Sequence, residues 1–134
     1  MVVFGQARNV VFECSEQLRA EGVPHNNKPA LGAMIELPSA VAVAEDLAET
    51  ADFLSIGSND LIQYILAVDR TNQHISDLFI PHHPAVLRSM ARVAHAAKKL
   101  GKPVSLCGEM ASNPAFSRFL IGIGLTTFSV EVRS

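Results

Sequence analysis

Phe53-Leu54-Ser55-Ile56-Gly57-Ser58-Asn59-Asp60-Leu61-Ile62-Gln63-Tyr64 is a short apolar run that breaks at polar residues and resumes with helical spacing. Residues 53–57 read as a strand and 60–68 as a short helix, which together make a βα unit. The unit recurs on both sides. Upstream, 31–37 read as a strand, and Pro38 opens a helix to about Thr50, because proline suits the first helical position. Downstream, 104–107 read as a third strand, Asn113-Pro114 caps a helix ending near Gly122 or Gly124, and 126–130 read as a fourth strand. The clearest helix is 85–100. Leu87, Met90, Ala94 and Ala97 line one face, Lys98 and Lys99 occupy the last turn, and Gly101 stops it. A first helix over 6–20 carries Val10, Cys14 and Leu18 on one stripe, which assigns Cys14 to the core. Residues 22–29 form a polar loop with two prolines.

The order is α-β-α-β-α-β-α-β, with apolar strands of the kind that are buried on both faces of a helix-covered parallel sheet. The expected fold class is therefore α/β, four parallel strands with covering helices, about half of a TIM-type (β/α)8 barrel. A complete barrel takes about 250 residues, and this chain has 134. It stops at Ser134, directly after the fourth strand. A single partial domain over 1–134, truncated at both ends, is the expected organisation.

Composition excludes several classes. Apolar residues make up 49% and charged residues 18%, with a mean hydropathy of +0.24, so the chain is not of the disordered type. A net charge of −2 and pI near 6.2 argue against a basic nucleic-acid binder. One Tyr, seven Phe and no Trp make a base-stacking platform unexpected. The two cysteines, Cys14 and Cys107, form neither a disulfide framework nor a CxxC pair. No apolar run reaches the roughly 18–20 residues of a membrane span, and the N-terminus lacks the features of a signal peptide. A cytoplasmic location is expected.

Each strand ends in residues suited to a site: Glu36, then Ser58-Asn59-Asp60, then Cys107-Gly108-Glu109, then Ser129 and Glu131. In parallel barrels the loops after the strands converge over one mouth, where active sites lie. Three of these stretches carry a family likeness. Gly32-Ala33-Met34-Ile35-Glu36-Leu37-Pro38-Ser39-Ala40 resembles the strand-and-turn motif of the phosphoenolpyruvate-utilising enzymes. Residues 53–64 with Ala67-Val68-Asp69-Arg70 resemble that family's signature, and so does Cys107-Gly108-Glu109-Met110-Ala111. The resemblance covers roughly 15–132. It is strongest to the phosphoenolpyruvate–protein phosphotransferase branch, which is enzyme I of the sugar phosphotransferase system and its nitrogen-pathway paralogue. Pyruvate phosphate dikinase and phosphoenolpyruvate synthase usually differ after the Cys-Gly-Glu.

The resemblance implies Mg²⁺ held by Glu36 and Asp60, with phosphoenolpyruvate and pyruvate as substrate and product. It implies Arg70 on the substrate phosphate and Cys107 as proton donor to enolpyruvate. It further implies transfer of the phosphoryl group to a histidine on another domain, then to a histidine-containing phosphocarrier protein. No histidine here matches the phosphoacceptor, and the family's other substrate arginines lie on earlier strands, so the chain alone is not expected to turn over phosphoenolpyruvate. Ser58 stands where the family usually has Thr, and Ser112-Asn113 where it commonly has Gly-Asp.

The chemistry agrees with these roles, and each residue also has a plainer one. Mg²⁺ takes one or two carboxylates plus substrate oxygens and water, which Glu36 and Asp60 can supply. Glu36 could instead be a solvated carboxylate at a helix start, and Asp60 an N-cap. The Asn59 amide can donate to a phosphate or carboxylate oxygen, or simply shape a turn. Arg70 offers a permanently charged fork for anions, or a surface ion pair with Asp69 or Asp77. A thiol, with a reference pKa near ~8.5, is protonated at neutral pH and can serve as general acid, though a cysteine is commonly buried and inert. Glu109 is read as holding the Cys107 loop. His82-His83 reads as loop packing, and Gly122-Ile123-Gly124 as a helix end.

Two other functions compete: a catalytically inactive half-barrel acting as a binding or regulatory module, and an aldolase-type barrel with a carboxylate-bound Mg²⁺. Open edges at 33–37 and 126–130 predict self-association, with a homo-oligomer as the result. No membrane or nucleic-acid partner is expected.

Overall fold

The four apolar runs pair side by side in chain order, all parallel. In the computed structural model, which describes residues 2–131, the strands are β1 (Gly32–Ile35), β2 (Phe53–Gly57), β3 (Val104–Cys107) and β4 (Thr127–Ser129). The helices are α1 (Val2–Ala20), α2 (Pro38–Ala42), α3 (Ala44–Thr50), α4 (Ser58–Leu66), α5 (Pro84–Lys99), α6 (Glu109–Ser112) and α7 (Pro114–Gly122). A single 3-10 turn, Ser76–Leu78, interrupts the long connection before α5. The expected span of 1–134 includes Met1 and residues 132–134, which lie outside the described residues.

Register decides which side chains share a face. Ile35 lies beside Ile56, Ile56 beside Leu106, and Leu106 beside Phe128. The first three are fully buried and form the core with Leu54, Leu61, Met90, Val93 and Leu120. Burying each such side chain contributes about 1.5–3 kcal/mol. The helical layer is built around α5, which packs against α2, α3, α4 and β2.

The opposite face carries Met34 beside Ser55, Ser55 beside Ser105, and Ser105 beside Thr127. Met34 is 50% exposed, and Ser105 Oγ donates to Ser55 Oγ at 3.1 Å. Burial on both faces, expected from the apolar strands, is therefore not what the sheet shows. Only one face is closed, because small polar residues alternate with the apolar ones on β2 and β3. A half-wet inner face suits part of a barrel wall better than a doubly covered open sheet.

Proline and polar caps set the helix starts as expected. Pro38, Pro84 and Pro114 each open a helix. Asn113 Oδ1 accepts from Ala115 N at 3.0 Å. His83 Nδ1 accepts from Ala85 N at 3.2 Å, so His83 is a cap rather than mere loop packing. The helix expected over 38–50 is broken at Val43 (φ −112°, ψ 27°). Arg92 Nη2 donates to the freed Ala42 carbonyl at 3.0 Å and so satisfies the break.

The core assignment of Cys14 is corrected: Cys14 is exposed, and Val10 is 57% exposed. The inward face of α1 instead carries Phe4, Val11, Ser15 and Leu18. Apolar residues ring the first half of this helix, so spacing alone does not select the face. A tertiary contact does. Ser15 is 6% exposed and lies 3.0 Å from His25 Nε2, while His25 Nδ1 lies 2.8 Å from Val23 O. Asp52 fixes a further contact of α1: its Oδ2 accepts from Arg8 Nη2 at 2.7 Å and from Leu31 N at 2.8 Å. Among the described residues, no helix is long and apolar enough to cross a membrane.

Candidate functional site

The carboxyl ends of β2, β3 and β4 converge, as the polar strand ends predicted. A cleft of about 450 Å³ opens there, lined by Asn59, Arg70, Cys107 and Glu109, with Ser129 and Glu131 from the end of β4. A larger groove of about 580 Å³ lies between α1 and residues 27–31, beside Phe12, Lys28 and Asp52. It sits at the opposite end of β1, away from the converging strand ends, and its lining is chiefly apolar.

The turn after β3 is built for close approach. Cys107 pairs in register with Gly57 on one side and Ser129 on the other. Gly108 follows at φ +99°, ψ −177°, a conformation that is essentially glycine's alone. A Cβ there would run into Ser58 Oγ and lie 2.9 Å from Asn59 Oδ1. The backbone instead lies against the start of α4, where Ser58 Oγ donates to the Cys107 carbonyl at 2.7 Å. Glu109 N donates to Asn59 Oδ1 at 3.1 Å. That bond occupies the Asn59 oxygen and leaves its NH₂ as the group free to donate. Cys107 Sγ lies 3.6 Å from the Ile56 carbonyl, to which its S–H donates.

Arg70 reaches the cleft from the connection after α4, with Nη1 3.4 Å from Glu109 Oε1. Neither Asp69 nor Asp77 is its partner. Asp69 Oδ1 accepts from Thr71 N at 2.8 Å and from Thr71 Oγ1 at 2.7 Å, which holds that carboxyl below the usual range. Glu109 thus contributes to the loop through its backbone N–H and to the cleft through its side chain.

Glu36 and Asp60 do not line this cleft. Glu36 is half-buried one residue beyond β1, and its Cβ and Oε2 both lie 3.1 Å from where a Cβ on Gly57 would be. Glycine at 57 therefore leaves room for the carboxylate over the end of β2, at the root of α4. Asp60 is in the first turn of α4, half-buried. Gly57 is the N-cap, with no side-chain cap bond, so the capping role open to Asp60 is not the one it takes. No three His, Cys, Asp or Glu residues cluster as a metal cage among the described residues. A hard cation takes one or two carboxylates and its other oxygens from water and substrate, and Glu36, directly after β1, and Asp60, in the first turn of α4, are donors of that kind.

The family model for the PEP-binding domain of PEP-utilising enzymes matches residues 2–134. The chain belongs to this family. It is 44% identical over 131 residues to the phosphoenolpyruvate-protein phosphotransferase of Priestia megaterium, covering 98% of this chain and 23% of that protein. It is 44% identical over 126 residues to the namesake from Cupriavidus necator, covering 94% of this chain and 22% of the relative. The Listeria monocytogenes protein is 41% identical over 131 residues, again 98% and 23%. The chain thus spans less than a quarter of the length of these relatives.

Among solved structures, an HpcH/HpaI aldolase/citrate lyase family protein from Burkholderia cenocepacia matches with TM-score 0.57 and 27% identity, over 75% of this chain and 35% of that one. An HpcH/HpaI aldolase from Desulfitobacterium hafniense matches with TM-score 0.57 and 18% identity, over 87% and 40%. The PEP-utilising family assignment and the α/β half-barrel architecture agree with the resemblance read from the motifs. What the motifs did not reveal is the service of Ser58 and Gly108 to the Cys107 turn. A glycine directly after the strand-end cysteine was the available signal.

Proposed function

We propose that this chain is the carboxyl-terminal half of the phosphoenolpyruvate-binding barrel of a phosphoenolpyruvate–protein phosphotransferase, acting in the cytoplasm within a sugar or nitrogen phosphotransferase system. The observation that carries the reading is the meeting of Cys107, Asn59 and Arg70, from three separate stretches of chain, around one polar cleft. The guanidinium of Arg70 and the amide of Asn59 hold the phosphate oxygens of phosphoenolpyruvate. Glu36 and Asp60 are the residues that would hold Mg²⁺, whose chemistry is to neutralise charge on the substrate oxygens.

The phosphorus–oxygen bond of the substrate breaks as the phosphoryl group passes to a histidine nitrogen on another domain. From there it goes on to a histidine-containing phosphocarrier protein. The enolate left behind takes the proton of Cys107 Sγ on its methylene carbon, giving pyruvate, and the thiolate regains a proton from solvent. The fold likeness to two aldolases supports a second reading, carbon–carbon cleavage of an oxoacid at the same carboxylates.

A chimera separates the two. Residues 2–131 would replace the matching segment of the Priestia megaterium relative, and phosphoenolpyruvate-dependent pyruvate formation would be followed. The expected result is retained activity, lowered at least about 100-fold by Cys107→Ala, with Mg²⁺-dependent substrate binding lost in Glu36→Ala and Asp60→Ala. A folded chimera without pyruvate formation, or one indifferent to Cys107→Ala, overturns the phosphotransferase reading.

A further inference from the structure

Ser58 is the most deeply buried polar side chain of the described residues, at 0% exposure, yet it is adjacent to an open cleft. It is the first residue of α4, directly after the N-cap Gly57. Its hydroxyl is spent 49 residues away, on the Cys107 carbonyl at 2.7 Å. That carbonyl ends β3, at the point where the chain swings into the glycine-only conformation of Gly108. With Ser58 fully buried, water has poor access to replace the hydroxyl. Removing it would leave the carbonyl without this donor in a low-dielectric setting, which favours rotation of the 107–108 peptide over an unmet acceptor. The Cα of Cys107 is one end of that peptide, so a turn that is no longer tethered frees this Cα, and the thiol it carries, to shift.

We propose that Ser58 is a positioning residue for the Cys107 thiol. It locks the peptide on the carboxyl side of Cys107, so that Sγ stays against the Ile56 carbonyl, 3.6 Å away, at the wall of the cleft. Three observations converge on this. The hydroxyl bond is short and its donor is fully buried. The adjacent Gly108 has no space for a Cβ because Ser58 Oγ and Asn59 Oδ1 occupy it. The next amide, Glu109 N, is fastened to Asn59 Oδ1. The start of α4 thus grips the turn at two successive points, and only the Ser58 bond bears on the peptide of the cysteine itself. The significance for catalysis rests on the proton-donor reading of Cys107 given above; the positioning itself does not.

The test reads the thiol directly. In the full chain with Cys14→Ser, so that one thiol remains, iodoacetamide alkylation of Cys107 is timed at fixed pH, well below the unfolding temperature. Ser58→Ala and Ser58→Val, which lack the hydroxyl, are compared with Ser58→Thr, which has the volume of valine and keeps it. The expected result is a change of at least about fivefold in alkylation rate for Ala and Val, with Thr within about twofold of the parent. If one hydroxyl-free variant does not fold, the other is read against Thr.

Folded hydroxyl-free variants that react at the parent rate overturn the proposal, as does a Thr variant that behaves like Val. In the chimera described above, Ser58→Ala is further expected to lower kcat for pyruvate formation about tenfold while KM for phosphoenolpyruvate stays within twofold. If Cys107 were not the proton donor, the alkylation difference would persist while this kcat effect vanished, so the two ideas fail separately.

Discussion

Arg70 and Glu109 face each other at the mouth of the cleft, Nη1 to Oε1 at 3.4 Å, although 39 residues separate them in the chain. The Glu109 side chain is 81% exposed, and exposed pairs of this kind are weak and salt-sensitive. On the function proposed above, an incoming phosphate would compete with Glu109 for the same guanidinium and prevail, since a doubly charged anion can take both prongs of the fork. Glu109→Gln removes the competitor. Calorimetric titration of the chimera with phosphoenolpyruvate and Mg²⁺ should show binding tightened by up to about fivefold, the size of one exposed pair. The gain should shrink at high salt. Weaker binding in Glu109→Gln would mean that the carboxylate orients Arg70 instead of competing for it.

Gly108→Ala tests the turn. The substitution places a Cβ at φ +99° against Ser58 and Asn59. Strain at this backbone geometry and overpacking each cost on the order of 1–3 kcal/mol. Urea unfolding should show a loss of about 3 kcal/mol. Gly22→Ala, also at positive φ but with nothing near its added Cβ, should cost clearly less. Equal losses at the two sites would remove crowding by Ser58 and Asn59 from the explanation.

Acid stability should depend on Asp52. The Leu31 N–H, and after it the Arg8 side chain, hold this carboxyl below the ordinary aspartate range. Because its folded value lies below its unfolded one, the unfolded chain binds more protons in the interval, and stability rises with pH there. The contribution is complete above the unfolded value near ~3.9 and is lost as pH falls through the lower folded value. Glu45, lowered by Lys99, and Asp69, lowered by Thr71, act with the same sign. Thermal melts from pH 6 down to about pH 2.5 should fall more shallowly for Asp52→Asn than for the parent. Parallel curves would show that Asp52 takes no part.

Self-association is expected of the isolated chain. Among the described residues, β1 and β4 have no outer strand partner, and the open face presents Met34 at 50% and Phe53 at 36% exposure. A second copy that covers this surface gains about 25 cal/mol per Å² of apolar area. Light scattering should give a mass that rises with concentration, and Met34→Lys should lower it. A monodisperse monomer at high concentration in the parent chain counts against the idea.

Much of the half-barrel is written locally. Apolar runs of four or five residues, prolines at helix starts and glycines at helix ends act over one or two turns of chain. The alternation of strands and helices was therefore legible in order, with bounds from identical for β2 and β3 to four residues off at the start of α1, while the short helix α6 went unread. The polar strand ends were legible for the same reason, since a cluster such as Ser58-Asn59-Asp60 is contiguous.

What the tertiary structure alone decided are relationships between distant stretches. Strand register turned one sheet face inward and left Met34, Ser55 and Ser105 on the other. Contact with His25 rotated α1 so that Ser15 is buried and Cys14 is not. Arg70 met Glu109 instead of its sequence neighbour Asp69, and Ser58 met Cys107 across 49 residues. The difference is physical. Local propensity depends on steric and hydrogen-bonding preferences within a few residues, whereas the partner of a side chain is chosen by where the packed sheet brings another chain segment to within about 3 Å.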